Sequence, residues 1–491
     1  MGLKQQAISG AKWTTISTIV TSLIQLLRLA ILTRFLDKSD FGIVAILTFV
    51  LGLTNTFSDL GFSAVIMHKQ DISCKAFSSL YWIQFFVFGG LFFLGALSSP
   101  LIAAFYKELS IVYLLPIVLF DLVLYGIGKL YDTVLQKDMQ FKTIAIRNIV
   151  SASLSIVIAF LLAYWGYGVY SMILSTLFNT AMLNIWNFIC GQSYYKLQFR
   201  MSLKESMPLV KIGLYQTGTQ ILDYFAAKFD ILIIGKLLGA ESLGVYNLAK
   251  EILMKLILVI NSIVNKVALP IFSKVQDDLE GMRSAYCKVI KIVSSINFPI
   301  SILFGVLSFQ IVGILYGPGY EDVSELMSIL SIWSLFLCIG NPVGSIAIVT
   351  GNTLLSFKYT IVRVVIMIPC VYFASLFCIK TVAWSNVLMA IIMFFVAWYM
   401  LLRKILNLSF LQYFNSFAKD LVFSLVLGAV MLVVVRNNLF DLSNNLYIIG
   451  LVYGAVIIII YAVYYIALYR HDFSSIIDCI HPSTKYQEPM L

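Results

Sequence analysis

Long apolar runs separated by short polar loops make up almost the whole chain. A helix that crosses a bilayer needs about 20 consecutive apolar residues, and fourteen runs approach or exceed that length. We therefore predict an all-α polytopic membrane protein with about 14 transmembrane helices. The predicted spans cover residues 12–35, 41–67, 76–99, 110–134, 143–165, 168–190, 208–235, 241–272, 286–315, 324–350, 357–379, 381–402, 418–436 and 445–469.

Composition agrees with this pattern. Of the 491 residues, 60% are hydrophobic and 12% are charged, whereas soluble proteins have roughly 45–50% apolar and about 25% charged residues. The first run is long, contains Arg28 and is not followed by a small-residue cleavage site, so we predict a membrane span and not a signal peptide. The seven cysteines form no CxxC pair, and we expect no metal or other cofactor.

The distribution of basic residues predicts the orientation. With both ends placed in the cytoplasm, 21 of the 34 lysines and arginines fall on cytoplasmic segments and 6 on outer segments. Cytoplasmic loops of membrane proteins carry an excess of basic residues, so we predict that both termini are cytoplasmic. The same bias accounts for the net charge of +10 without a nucleic-acid partner.

The first predicted loop recurs as the seventh. Residues 34–46 (RFLDKSDFGIVAI) align with residues 236–248 (KLLGAESLGVYNL) at an offset of 202. Polar residues of the flanking spans, which lipid contact would normally exclude, repeat at the same offset and lie on single helix faces. At this offset Thr14, Thr21 and Arg28 correspond to Gln216, Asp223 and Asp230, and Thr48 and Asp59 correspond to Lys250 and Asn261. The faces consist of Thr14, Thr18, Thr21, Gln25 and Arg28 in span 1; Thr48, Gly52, Asn55 and Asp59 in span 2; Gln216, Thr219, Asp223 and Asp230 in span 7; and Lys250, Asn261 and Asn265 in span 8.

The repeat predicts the domain organisation. A repeat unit of six spans keeps its orientation in the membrane, so the two halves should form parallel six-helix lobes. The predicted units are an N-terminal lobe at residues 1–190, a basic cytoplasmic linker at 191–211, a C-terminal lobe at 212–403, two additional transmembrane helices at 404–470 and a cytoplasmic tail at 471–491.

Five segments carry a resemblance to a known family. They are RFLDKSDFG (34–42), DLGFSAVI (59–66), LQKDMQFK (135–142), KFDILIIGKLLG (228–239) and ALPIFSKVQDD (268–278). In this combination and order they resemble the Wzx-type polysaccharide flippases, and in particular the branch that exports repeat units of the colanic and teichuronic acid type.

The resemblance implies the multidrug/oligosaccharidyl-lipid/polysaccharide exporter superfamily, with two six-helix lobes around a central cavity lined by spans 1, 2, 7 and 8. It implies a bacterial inner-membrane flippase that moves an undecaprenyl-diphosphate-linked oligosaccharide from the cytoplasmic to the periplasmic leaflet, for O-antigen, capsule or exopolysaccharide synthesis. The partners it implies are this substrate and membrane lipids. Because the sequence has no GxxxxGK[ST] nucleotide-binding motif, the driving force is either a gradient of a coupling H⁺ or Na⁺ ion or consumption of the product, for which a polysaccharide polymerase with its chain-length regulator is the expected partner.

Polar side chains within the spans are the candidate site residues, because a charge at the centre of a span costs roughly 2.5–3.5 kcal/mol. Lys250 is favoured over Lys255 as a ligand of diphosphate, since Glu251 can neutralise Lys255 at i, i+4 spacing and no such neighbour faces Lys250. Arg147, near a cytoplasmic end, is expected to reach water. The predicted substrate-binding residues are Arg28, Asn55, Asp59, Lys228, Lys250, Lys255, Asn261 and Asn265.

Asp223 and Asp230 are predicted to act in ion coupling or gating. Asp223 lies roughly 18 Å from the cytoplasmic start of its span, near mid-bilayer, where a carboxylate either faces a wet cavity or forms a static pair. Arg28 and Asp230 are equivalent in the repeat. They would either face each other as an outer gate or each serve their own lobe, and the sequence leaves both alternatives open.

Two other functions compete with export of a lipid-linked oligosaccharide. An enzyme needs a constellation of catalytic groups, but the longest outer loop, around residues 316–325, has no histidine or basic residue, and no nucleophile with a paired base or metal-ligand cluster is apparent. Export of another substrate on the same fold, such as a peptidoglycan or teichoic acid precursor or a drug exchanged for a cation, remains the alternative.

Overall fold

The computed structural model describes residues 3–58, 62–68, 72–199, 220–221, 223–225, 227–437 and 446–480, apart from some side chains within these ranges. All regular secondary structure in them is helical. The helices are α1 (Leu3–Leu32), α2 (Lys38–Ser58), α3 (Phe62–His68), α4 (Cys74–Tyr106), α5 (Ile111–Lys137), α6 (Phe141–Tyr164), α7 (Val169–Gly191), α8 (residues 227–237), α9 (Gly239–Lys274), α10 (Leu279–Val306), α11 (Ser308–Leu315), α12 (Glu321–Val349), α13 (Thr353–Ser375), α14 (Ile379–Ala397), α15 (Arg403–Leu406), α16 (Phe410–Asn415), α17 (Ala418–Arg436) and α18 (Leu446–Ile480).

Twelve of the described helices are long and apolar enough to cross a membrane. Helices α8 and α9 are not among the twelve, and α9 carries Lys250, Glu251 and Lys255 within two turns. With these two helices the fold has the predicted fourteen spans. The predicted fold class, an all-α polytopic membrane protein, is confirmed.

Helix boundaries differ from the predicted spans, and two of the spans are also interrupted. The ninth span is divided into α10 and α11, because Leu307 leaves the helical conformation while its N–H still bonds the Leu303 carbonyl. The twelfth span ends in a π-helical turn, Trp398–Leu402, before α15. Helix α16 was not predicted; it begins with a capping box in which Ser409 and Gln412 exchange hydrogen bonds.

The helices pack as two lobes with an attached pair. In the N-terminal lobe, α5 packs against α4, α7 and α2, and α6 packs against α1 and α7. In the C-terminal lobe, α12 packs against α9, α10 and α14, and α13 packs against α14. Helices α17 and α18 lie against α10 of the C-terminal lobe. The main contact between the lobes is that of α2 with α9.

Arg147 forms an ion pair within the N-terminal lobe. The expectation that its side chain reaches water is wrong, since Arg147 is 5% exposed and its Nη1 lies 3.0 Å from Asp132 Oδ1. Its Nε and Nη2 also donate to Asn148 Oδ1, at 3.2 and 3.0 Å. The pair joins the end of α5 to the start of α6.

Arg147→Met should lower the free energy of unfolding by up to about 3 kcal/mol, because it leaves the Asp132 carboxylate without its cation. The measurement is unfolding of the purified protein in detergent. The double variant Arg147→Met with Asp132→Leu should lose clearly less, because neither charge is left alone. Equal losses in the single and double variants would show that the pair has no such role.

Candidate functional site

The lobes touch where the first turns of α2 and α9 cross. A Cβ atom added at Gly42 would overlap the Ala240 carbonyl group. A Cβ atom added at Gly244 would likewise overlap the Lys38 carbonyl group. The two contacts are equivalent in the repeat, since positions 38 and 42 correspond to 240 and 244 at the offset of 202. Glycine is needed at both positions because the two backbones meet there.

Two equivalent cations flank this crossing. Arg34 Nη2 donates to the Ile314 carbonyl at 3.0 Å, in the last turn of α11. Lys236, which corresponds to Arg34 at the same offset, donates to the Phe105 carbonyl in the last turn of α4. Each lobe thus offers a cation to a helix C-terminus of the other lobe, where the helix dipole and the unpaired carbonyl groups favour positive charge.

Two further contacts beside the crossing have no equivalent at the offset of 202 among the described residues. Lys38 Nζ lies 2.7 and 2.8 Å from the two carboxylate oxygens of Asp322. The Tyr320 hydroxyl donates to the Leu36 carbonyl at 2.8 Å. We refer to the glycine crossing together with these flanking contacts as the closed end.

Arg28 lies on α1 and is held by α7. One guanidinium nitrogen donates to the Met172 carbonyl at 2.7 Å and to the hydroxyl groups of Ser175 and Thr176 at 2.8 Å each. Its Nε is buried and has no hydrogen-bond partner among the described residues. These partners are all neutral, so the guanidinium keeps its charge available to an anion.

Asp230 and Lys250 form an ion pair inside the C-terminal lobe. The Tyr246 hydroxyl donates to the same carboxylate oxygen at 2.6 Å, and Asn386 Nδ2 donates to that hydroxyl at 3.2 Å. Lys250 Nζ also lies 5.6 Å from the centre of the Trp333 ring. The expectation of an unpaired Lys250 is corrected, because Asp230, only 3% exposed, faces it from the neighbouring helix.

Lys255 has two partners. Its Nζ lies 3.5 Å from Glu251 Oε1, which is the i, i+4 pair expected from the sequence. It also donates to Gln25 Oε1 on α1. This second bond joins the lobes, so Lys255 occupies the boundary between α1 and α9.

Arg28 and Asp230 are each bonded within their own lobe and not to each other. The Arg28 guanidinium is attracted electrostatically by the Glu251 carboxylate. In this conformation the lobes meet through the closed end and also through the bonds of Lys255 to Gln25 and of Tyr224 to the Phe49 carbonyl. Of the two alternatives for this pair, the conformation described here has the arrangement of the second, in which each charge is bonded within its own lobe.

The other predicted site residues differ in exposure. Asn55 and Asn261 are half-buried, and Lys228 and Asp223 are exposed. Lys228 is close enough to Lys250, Asp230, Glu251 and Lys255 to interact with their charges. The Arg363 charge acts on Asp223. Asp59 and the side chain of Asn265 lie outside the described residues.

Four polar neighbours of these charges were not predicted: Ser175, Thr176, Tyr246 and Asn386. Periodicity assigns a side chain to a helix face, but it does not say which neighbouring helix that face meets. Tyr246 lies within the repeated segment 236–248 and four residues before Lys250, a spacing that places both side chains on one helix face.

More than half of the chain matches a known protein family by sequence. Residues 31–325 match the model of the family described as "Polysaccharide biosynthesis protein". The chain belongs to this family. The resemblance inferred from the five segments is thereby confirmed.

Individual relatives agree with the assignment. The lipopolysaccharide biosynthesis protein WzxC of Escherichia coli (strain K12) is 25% identical over 448 residues, covering 88% of this chain and 89% of the relative. The teichuronic acid biosynthesis protein TuaB of Bacillus subtilis (strain 168) is 27% identical over 436 residues, covering 87% and 89%. The lipid II flippase MurJ in an inward closed conformation shares the fold, with a TM-score of 0.73, 16% identity and coverage of 93% and 99%.

Gly42→Ala should separate the lobes at the closed end, because its methyl group would occupy the position of the Ala240 carbonyl group. Spin labels at Leu109 and Phe377, both strongly exposed, would report the separation by double electron–electron resonance. Gly90→Ala is the matched control, since a Cβ there meets nothing within 4 Å. Identical distance distributions in the two variants would refute the glycine crossing.

Proposed function

We propose that this protein is a flippase that moves an undecaprenyl-diphosphate-linked oligosaccharide repeat unit from the cytoplasmic to the periplasmic leaflet by alternating access. The observation that carries the proposal is the combination of a closed end with intramembrane cations from both lobes. Arg28 comes from the N-terminal lobe, whereas Lys250 and Lys255 come from the C-terminal lobe. A diphosphate bound between them would hold both lobes at once.

The direction of transport rests on the positive-inside bias. That bias assigns the closed end to the periplasmic side, so the conformation described above would load substrate from the cytoplasmic leaflet. Release on the other side requires the glycine crossing and its flanking contacts to open. The lobes would then rock as two bodies about the bound head group.

Lys250 is the proposed diphosphate ligand in the C-terminal lobe. In the structure its ammonium is neutralised by Asp230, with Tyr246 as a second donor to the carboxylate. A diphosphate carries more negative charge than one carboxylate and would compete for the ammonium. Substrate binding would thus loosen a pair within the lobe and gain a charge-assisted contact with the ligand.

The driving force of transport is inferred from a motif that the sequence lacks. The sequence contains no GxxxxGK[ST] nucleotide-binding motif. Transport would therefore be driven by a gradient of H⁺ or Na⁺, with Asp223 as one candidate carboxylate, or by consumption of the product. A polysaccharide polymerase with its chain-length regulator would be the consuming partners.

The function can be tested in the native host by deleting the gene. Surface polysaccharide should disappear, and an undecaprenyl-diphosphate-linked oligosaccharide should accumulate and be detectable by mass spectrometry of extracted lipids. Expression of the wild-type protein should reverse both effects. If the deletion strain makes no lipid-linked oligosaccharide at all, the protein acts before translocation and the proposal fails.

Lys250→Gln should reduce export at least about tenfold at unchanged protein abundance, because a charge-assisted bond to phosphate is lost. The double variant with Asp230→Asn removes both members of the pair and should stay inactive if Lys250 binds substrate. Lys380→Gln is the control, since Lys380 pairs with Glu325 at the exposed surface of the same lobe. Recovery of export in the double variant would show that Lys250 serves only to neutralise Asp230.

A further inference from the structure

A second group of polar side chains is buried between α4, α5 and α7 of the N-terminal lobe. Gln84, Asp121 and Asn187 are 1%, 6% and 3% exposed. Asp121 lies about 15 Å from the start of α5 and about 24 Å from its end, at 1.5 Å per residue. A side chain as short as that of aspartate cannot reach water from this depth.

Asp121 has a neutral polar neighbour, and no cation of the described residues pairs with it. The Thr180 hydroxyl group on α7 lies beside its carboxyl group, and Asp121 Oδ1 is buried with no partner among the described residues. Helix α7 contains no charged residue. The charged side chains on α5 itself and on the other long helices packed against it are Lys38 and Asp40 on α2, Lys75 on α4, Lys129, Asp132 and Lys137 on α5, and Lys142 and Arg147 on α6.

Several of these groups have other partners. Lys38 pairs with Asp322, and Asp132 pairs with Arg147. Lys129 Nζ lies 5.3 Å from the centre of the Tyr125 ring. Among the titratable tyrosines of this region, Tyr81 donates to the Ile127 carbonyl and Tyr131 to the Tyr195 carbonyl. No ion pair of the described residues involves Asp121.

Further buried polar atoms lie on α4 and α7. Both amide atoms of Gln84 and the amide oxygens of Asn179 and Asn187 have no hydrogen-bond partner among the described residues. Tyr81 bonds to Ile127, and Phe88 lies 3.1 Å from a Cβ built at Gly126. Gln84, between these two residues of α4, is therefore near Gly126 and Ile127, five and six residues beyond Asp121. Helix α7 contacts α5 there as well, with Asn184 against Gly128.

This arrangement is unfavourable for an isolated carboxylate. An ionised carboxyl group buried in the interior without a cation costs several kcal/mol, so it takes up a proton or coordinates a positive ion. Carboxylate, hydroxyl and amide oxygens are the ligands that hard cations prefer. Because Asp121 is buried and its Oδ1 atom has no partner among the described residues, we propose that Asp121 binds a small monovalent cation, either a proton or Na⁺, inside the N-terminal lobe.

The site shares a helix with the candidate substrate ligand. Thr180 contacts Asp121, and Thr176, one helical turn or about 5.4 Å away along α7, accepts a hydrogen bond from Arg28. Cation binding at Asp121 and substrate binding at Arg28 would thus both involve the same face of α7. This consequence for transport rests on the proposed flippase function, whereas cation binding by Asp121 does not.

Binding of a proton by Asp121 is tested by infrared difference spectroscopy of the purified full-length protein in lipid nanodiscs between pH 5 and pH 9. The wild-type protein should show a C=O stretch of a protonated carboxyl group that is absent in Asp121→Asn and present in Asp121→Glu. Asp420→Asn is the matched control, because Asp420 is equally buried but accepts hydrogen bonds from Ser294 and Tyr464. The band should persist in this control.

Sodium is tested in the same nanodiscs by binding of ²²Na⁺ at fixed pH. If Na⁺ is the ligand, Asp121→Asn should lose at least about tenfold in affinity, because the only formal charge of the site is removed, while Asp420→Asn should bind as the wild type does. The proposal is overturned if folded wild-type protein shows neither an Asp121-dependent carboxyl band nor Asp121-dependent Na⁺ binding. Neither assay contains a sugar lipid, so a failure here is distinct from a failure of the flippase function.

Discussion

The crossing of α2 and α9 at Gly42 and Gly244 is the constraint on which the rest of the structure depends. Two backbones can come this close only where neither helix carries a side chain, and the repeat supplies a glycine to each lobe at equivalent positions. The crossing fixes how the first loop of each lobe meets the other lobe. It thereby brings Arg34 and Lys236 to the helix C-termini of the opposite lobe.

This contact also determines which polar groups are shared between the lobes. Farther along the same helices, Lys255 of α9 bonds to Gln25 of α1, and Glu251 acts on Arg28. By contrast, Asp230 and Lys250 satisfy each other within the C-terminal lobe. The charged residues are therefore of two kinds. Some form contacts between the lobes, and others pair within one lobe, where a competing anion would displace the partner.

The sequence predicted the architecture well because periodicity and repetition encode it directly. The fourteen spans follow from apolar run length, and the offset of 202 anticipates the equivalence of Gly42 with Gly244 and of Arg34 with Lys236. Pairing between helices was less accessible. The bond of Arg28 to α7 and the pair of Asp230 with Lys250 depend on which helices are neighbours and how they are rotated, and a periodic pattern contains neither.

Asp121 illustrates a different limit. A single acid does not interrupt an apolar run, so the fourth predicted span is unaffected by it, and no repeat partner draws attention to it. Only its depth in α5 and its lack of a cation among the described residues make it conspicuous. The rule that intramembrane charges are functional candidates applied to Asp121 as much as to Asp223.

Alternating access through the closed end is tested most directly by tying the lobes together there. In a cysteine-free background, Lys38→Cys with Asp322→Cys places one thiol on each side of the boundary, at a pair whose charged atoms lie 2.7 Å apart. Glu325→Cys with Lys380→Cys is the control, at a pair with the same 2.7 Å separation within the C-terminal lobe. A short reducible bis-thiol cross-linker should stop export in the first variant, with recovery on reduction, and leave the control active. Normal export by protein fully cross-linked between positions 38 and 322 would contradict the account.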